Sequence, residues 1–403
     1  MSKKIWTLFS ILLLSAMLLA ACAPQATPTA EPVATEAAPT GPTGEVTLWH
    51  AYQTGSAEET TLATLIANAK SEYPGMTINV LQIPFSEIFN KYQTEVASGG
   101  GPDMFVAPND DLGNWTRGGI VTDVSADLAG KLGAVSQVGQ DGMKVDSMMY
   151  GVPESAKAVA LYYNKDLVQT VPTTTDELLQ MVKDGKILIN VLGAYHLFGW
   201  SGAFGGQLLD ETNKCIADQG GWTEFMQYLV DLKAAGAVFE PDYGKAETPF
   251  RQGQAAFFVN GPWALADYKK DLGDKLGVAP MPAGPSGPAT PLNGIDGFYL
   301  NPNTKNKEGA LALAMFLTNQ ESSQIYTDSA GHVPIRNDVT AADALVAEFA
   351  KASSTGYPRP QSAEFANYWA PFGDMFTKVL EGAISPADGV AEACAAMNAA
   401  SGK

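Results

Sequence analysis

The chain has 403 residues, 46% hydrophobic and 17% charged, a globular composition too long for one ordinary core, so two compact lobes are expected. The 25 basic and 43 acidic residues give a net charge of −18, which leaves no basic face for nucleic acid. Three cysteines exclude a disulfide-rich scaffold, and no P-loop, HExxH, paired CxxC, GxSxG or GxGxxG pattern occurs.

Met1–Ala21 reads as an export signal. Lys3 and Lys4 precede the apolar run Ile11–Ala20, which is short for a membrane-spanning helix. Leu19-Ala20-Ala21-Cys22 resembles a bacterial lipobox, which implies cleavage before Cys22 and a lipid on its thiol. An ordinary signal peptide or an uncleaved anchor is the alternative. Ala23–Thr43 is almost all Ala, Pro, Thr and Glu. It cannot bury a core and reads as a tether with a coil span of about 25 Å. Cys215 and Cys394 form either one disulfide or two buried thiols; their spacing decides nothing.

Glu45–Trp49 alternates as a strand. Leu62, Leu65, Ile66 and Ala69 mark a helix face. Thr77–Ile83 is a second strand. Ser86 can cap a helix whose face is Ile88, Phe89, Tyr92 and Val96. Asp103–Ala107 is a third strand after Gly99-Gly100-Gly101-Pro102. That βαβαβ order favours an open parallel sheet, with ligands at the strand ends Trp49–Thr54 and Ala107–Asp111. Trp222, Phe225, Met226, Leu229 and Leu232 form an amphipathic face. Gln254–Asn260 is an apolar strand, Pro280–Pro291 a loop, and Leu311, Ala312, Met315 and Phe316 another helix face. The last 60 residues read as mostly helical, broken at Gly356–Pro360.

Several motifs then occur in one order: Gly101-Pro102-Asp103, Gly151-Val152-Pro153, Tyr163-Asn164-Lys165-Asp166-Leu167, Phe250–Phe257, Asn260-Gly261-Pro262-Trp263 and Asn319-Gln320-Glu321. From about Gly44 onward the chain resembles an extracellular solute-binding protein of the maltose/sugar class, the receptor of an ABC importer. The resemblance implies an α/β, periplasmic-binding-protein-like clamp. Its lobes, each a sheet flanked by helices, would hold residues 44–157 with 292–335 and 158–291 with 336–403, joined by three hinge crossings. It implies a sugar ligand, an ABC permease as partner, a monomer, a lipid anchor in the cell membrane, no cofactor and no metal.

A sugar offers hydroxyls around its rim and C–H faces, so its site needs aromatic platforms and hydrogen-bonding side chains. Trp263 follows a strand and Gly-Pro, and matches the family's stacking tryptophan; the alternative is a core residue beneath the loop. Trp369 and Tyr195 match further stacking aromatics, and Asp110 a hydroxyl-binding aspartate. Phe365 and Phe372 also fit a core role for the helix of Trp369. Trp49, His50 and Tyr52 leave the first strand at the ligand end. Asp296 either binds hydroxyls or holds the hinge. Asp103 suits loop amides, and His196 reads as a packed histidine. Ala107, Lys157 and Gly193 stand where typical maltose binders carry a tryptophan and two glutamates, which changes the hydrogen-bond code and brings an acidic sugar into consideration through Lys157. The competing readings are an exported glycoside hydrolase, whose two carboxylates no spacing singles out, and a receptor for a non-sugar solute.

Overall fold

The computed structural model describes residues 41–403. The export signal, Cys22 and nearly all of the tether lie outside the described residues. In chain order the strands are β1 (Gly44–His50), β2 (Met76–Gln82), β3 (Met104–Pro108), β4 (Lys144–Val145), β5 (Met148–Met149), β6 (Val152–Lys157) and β7 (Ala160–Asn164). There follow β8 (Leu188–Val191), β9 (Val238–Glu240), β10 (Phe257–Asn260), β11 (Leu276–Ala279), β12 (Leu292–Leu300), β13 (Val333–Pro334) and β14 (Tyr357–Pro358).

One sheet runs β13-β6-β12-β3-β1-β2, with β14 beside the start of β12. The other runs β11-β7-β10-β8-β9. Each is flanked by helices, which gives two lobes. β1 lies parallel to β2 and β3, as the βαβαβ order requires. Beyond β3 the sheet is mixed: β12 is antiparallel to β3 and to β6. The reason is connectivity. β12 returns from the second sheet, so no helical crossover within the first sheet forces it parallel. Chain crossings between the sheets fall between Lys157 and Ala160, between Ala279 and Leu292, and after Pro334.

Ser56 caps the helix Ala57–Glu72, which buries Leu62, Leu65, Ile66 and Ala69 as its spacing demands. Ser86 does not cap the next helix. That helix, Phe85–Ala97, starts at Pro84 without a side-chain cap, so Ser86 lies inside the first turn. In the helix Lys307–Leu317 the buried face is Ala310, Leu313, Ala314 and Leu317, on the side opposite the expected stripe of Leu311, Ala312, Met315 and Phe316. Apolar residues ring that helix, so periodicity alone cannot fix its inward side. Asp103 behaves as expected: its carboxylate accepts from the Thr47 amide at 2.8 Å.

The core is built on both faces of the second sheet. Tyr162, Phe258, Phe250 and Tyr268 lie on one face and pack on through to the first lobe. On the other face are Leu161, Phe257 and Val259, against Trp222, Phe225, Phe372 and Phe376. Full burial of each such side chain contributes about 1.5–3 kcal/mol. Cys215 and Cys394 are disulfide-bonded, tying the loop before the helix Trp222–Ala235 to the last helix, Pro386–Ala400.

Candidate functional site

Tyr195 sits between two charged groups where the lobes meet. Gly193 starts its short helix, Ala194–Phe198, after β8. The Tyr195 hydroxyl lies 3.4 Å from the carbonyl oxygen of Lys157, and its ring centre is 6.0 Å from that of Trp263.

Lys157, at the end of β6, is the first charged hub. Its Nζ lies 2.7 Å from Asp296 Oδ2 and 3.0 Å from Glu58 Oε1. The same ammonium stands 5.8 Å from the ring centres of Tyr52 and Trp263. Burial works against the Lys157 charge, but Asp296 and Glu58 outweigh it and hold the pKa above the ordinary lysine value. Burial raises the Asp296 pKa despite Lys157, and Asp296 Oδ1 has no partner. His332 completes the hub, with Nδ1 2.9 Å from Glu154 Oε1 and Nε2 2.8 Å from Glu58 Oε1. Burial opposes its charge, yet Glu154 and Glu58 raise its pKa to about 9. Glu58, Glu154 and Asp296 thus face Lys157 and His332, one carboxylate in excess.

Arg359 is the second hub. It follows β14, whose parallel pairing to Leu292 and Asn293 brings it beside Gly294. A Cβ on Gly294 would lie 2.7 Å from the guanidinium, so a hydrogen there makes room for the cation. Arg359 pairs with Asp110, and its guanidinium carbon lies 5.2 Å from the Tyr195 ring centre and 6.0 Å from that of Trp369. Burial lowers its pKa to about 9, which leaves it charged at neutral pH. Asn109 braces the loop, accepting from Ile295 N at 3.1 Å and donating to Gly142 O at 2.8 Å.

Trp263 does not simply point out of the sheet. It folds back over Gly261, where a Cβ would fall 1.9 Å from the indole. Its Nε1 donates to Tyr243 Oη at 2.9 Å, and Asn260 Nδ2 donates to the same oxygen at 2.8 Å. The ring stays partly exposed. His196 is packed: its Nε2 lies 3.3 Å from Asn260 Oδ1, and burial holds its pKa down at about 4. Trp369 starts the helix Trp369–Leu380. Phe365 and Phe372 are buried in the core while Trp369 remains partly exposed.

The structure therefore joins Trp263, Tyr195, Lys157, Asp296, Tyr52, Asp110 and Trp369 in one continuous cluster. His50 adjoins it through Tyr52, ring centres 5.5 Å apart. Trp49 is a correction. Neighbouring strand residues face opposite sides, and Trp49 lies beneath Lys91, 5.0 Å from its Nζ, on the side away from His50. Sequence reasoning missed Glu58, Glu154, His332 and Arg359.

A family model described as bacterial extracellular solute-binding protein matches residues 64–353. The chain belongs to this family. The maltotriose-binding protein of Pyrococcus abyssi is 25% identical over 360 residues, covering 84% of this solute-binding protein and 78% of the relative. A maltooligosaccharide ABC transporter solute-binding lipoprotein of Streptococcus pneumoniae is 23% identical over 337 residues, 73% of this chain and 75% of that one. The solved structure of the Thermus thermophilus maltotriose binding protein, bound with maltotriose, superposes with a TM-score of 0.80 at 26% identity, covering 88% of this chain and 99% of that one.

Proposed function

We propose that the protein is a non-catalytic receptor that captures a neutral oligosaccharide outside the membrane and delivers it to an ABC permease. One observation carries this reading. The partly exposed faces of Trp263, Tyr195 and Trp369 come from the second lobe and converge on Asp110 and Asp296 of the first. Aromatic faces suit sugar C–H surfaces, and the flanking acids and amides suit hydroxyls. Lys157 does not favour an acidic sugar, because the carboxylates of Asp296 and Glu58 already hold its ammonium. An anion brought there would meet repulsion.

The lobes act as a clamp, with hinges at 157/158, 291/292 and 335/336. A ligand that touches both lobes only when they close shifts the population toward closure. Cys22 carries the lipid, and the tether lets a monomeric receptor work beside its permease. The names of the maltotriose-binding and maltooligosaccharide-transporter relatives support this reading.

The test follows thermal unfolding of the chain from Gly41, a compact unit by itself, against maltose, maltotriose, trehalose, cellobiose, xylobiose, glucose, galactose and glucuronate. A ligand at 100 times its Kd stabilises by about 2.7 kcal/mol. A shift with a neutral saccharide is expected. No shift with any of them, or a shift with glucuronate alone, contradicts the reading.

A further inference from the structure

Glu247 is a buried carboxylate of the second lobe, apart from both charged hubs. Tyr243, Glu247 and Arg251 recur every fourth residue on the helix Tyr243–Arg251 and share one face. Asn260 of β10 and Tyr268 of the helix Leu265–Leu272 are buried against that face. Arg251 reaches Glu247 Oε1 at 3.4 Å from the solvent side and is itself held by Asp271 at 2.5 Å. Burial raises the Glu247 pKa, while Tyr268 and Arg251 favour the charged form. Such a charge costs stability that a well-packed apolar side chain would not.

The hydrogens run in one direction from Glu247 inward. A carboxylate paired with a guanidinium only accepts, so the Tyr268 hydroxyl gives its hydrogen to Oε2, 3.0 Å away. The Tyr268 oxygen is left to accept, and takes a hydrogen from Asn260 Nδ2 at 2.8 Å. That bond fixes which end of the Asn260 amide is which. The second Nδ2 hydrogen goes to Tyr243 Oη at 2.8 Å, and Oδ1 faces His196 Nε2 at 3.3 Å. Oδ1 only accepts, so the neutral His196 carries its hydrogen on Nε2.

Tyr243 Oη also accepts from Trp263 Nε1 at 2.9 Å, and the chain ends at the indole that lies over Gly261. His196 meets the same indole edge-on, ring centres 6.0 Å apart and planes at 87°. A reversed Asn260 amide would need the Tyr268 hydrogen that Glu247 holds. It would also withdraw a donor from Tyr243 and shift the His196 hydrogen to Nδ1.

We propose that Glu247 is a positioning residue for the Trp263 platform: its carboxylate sets the direction of the chain Tyr268–Asn260–Tyr243, and so holds the indole at the angle, and His196 in the tautomer, that suit a saccharide face. This rests on the sugar-capture reading above. Glu247 acts from behind the cleft, with Tyr268 and Asn260 between it and the indole.

The test uses the purified, isotope-labelled protein. Ligand-free nitrogen–proton spectra report the Trp263 indole N–H, identified by its loss in Trp263→Phe, and the ring nitrogens of His196. Glu247→Leu is expected to shift the indole signal and to move the His196 hydrogen to Nδ1. In calorimetric titration it should bind maltotriose about tenfold more weakly than wild type. Tyr243→Phe should weaken binding by a similar factor. Adding Glu247→Leu to Tyr243→Phe should change affinity by no more than about twofold, because both act through one chain, whereas general loosening would add the separate losses. Should Glu247→Leu not fold, Tyr268→Phe, which deletes one hydroxyl of the same chain, must give the same indole shift and the same coupling to Tyr243→Phe. An unmoved indole signal with an unchanged His196 tautomer, or additive losses of affinity, overturns the positioning role and leaves sugar capture standing. A wild type that binds neither maltotriose nor any other saccharide of the panel overturns sugar capture, and the ligand-free spectra then decide by themselves whether Glu247 positions Trp263.

Discussion

The guanidinium carbon of Arg359 lies 5.2 Å from the centre of the Tyr195 ring, with Asp110 as its ion-pair partner. The ion pair and the stack together join a residue after β14, a helix of the second lobe and a loop of the first. Arg359→Ala removes the cation and leaves Asp110 without its counter-charge. Breaking a buried pair from one side costs about 3–5 kcal/mol. The expected outcome is a large drop in urea midpoint together with weakened ligand binding. Arg359→Lys keeps the charge but loses the planar stack, and restores stability only in part. A variant as stable as wild type would show that the pair holds nothing in place.

Closure at the margin of the cluster depends on Gly113. Its added Cβ would meet Gln361 O at 1.9 Å, and the obstacle is backbone rather than a flexible side-chain end. Gly113→Ala should therefore hold the lobes apart there. The substitution suits helix geometry, so the fold itself should survive. Small-angle scattering with and without ligand should show less compaction than in wild type, with affinity reduced about tenfold or more. Wild-type compaction and affinity would remove Gly113 from the closing contact.

Stability should depend on pH through His332. Its folded pKa of about 9 exceeds its ordinary value of 6.5, so its contribution is fully present below about pH 6.5. That contribution is lost as pH rises through 9, and at full deprotonation amounts to roughly 3 kcal/mol. Glu58 has the opposite sign. Its lowered pKa gives stability above the ordinary carboxylate range that is lost on acidification. Urea unfolding between pH 6 and pH 10 should show wild type losing more stability than His332→Gln. Parallel curves for the two would contradict a charged His332.

The disulfide closes a loop with a sequence separation of 179. A cross-link of that span restricts the unfolded chain strongly, and its removal typically costs about 2–5 kcal/mol. The last helix packs against the helix that begins at Trp369, so the loss should loosen the aromatic wall as well. Cys215→Ser with Cys394→Ser should lower the thermal midpoint by several degrees and weaken saccharide binding. Unchanged stability under reducing conditions would contradict this.

The strands and several helix faces were legible because each needs only local information. Val46 and Leu48 alternate, and Leu62, Leu65, Ile66 and Ala69 recur at helical spacing. Gly261-Pro262 marks the turn after β10 but not the direction of the Trp263 ring, which folds back over Gly261. The charged hubs were not legible, because Glu58 reads as an ordinary acid in a first helical turn and His332 as a residue after a glycine cap. Their meaning arises only when β6, β12 and the segment before β13 come together. Arg359 did carry a signal, a cation fixed between Pro358 and Pro360. Position at the strand end does not tell which side Trp49 faces; alternation along β1 turns it away from His50 and beneath Lys91.

In the proposed clamp, partly exposed tryptophans grip a saccharide between the lobes. Calorimetric titration of wild type and Trp263→Ala with maltotriose tests it most directly. A buried aromatic anchor contributes about 2 kcal/mol or more, so Trp263→Ala should bind about thirtyfold more weakly with an unchanged unfolding midpoint. Equal affinity in the two proteins would place the ligand elsewhere and contradict the account.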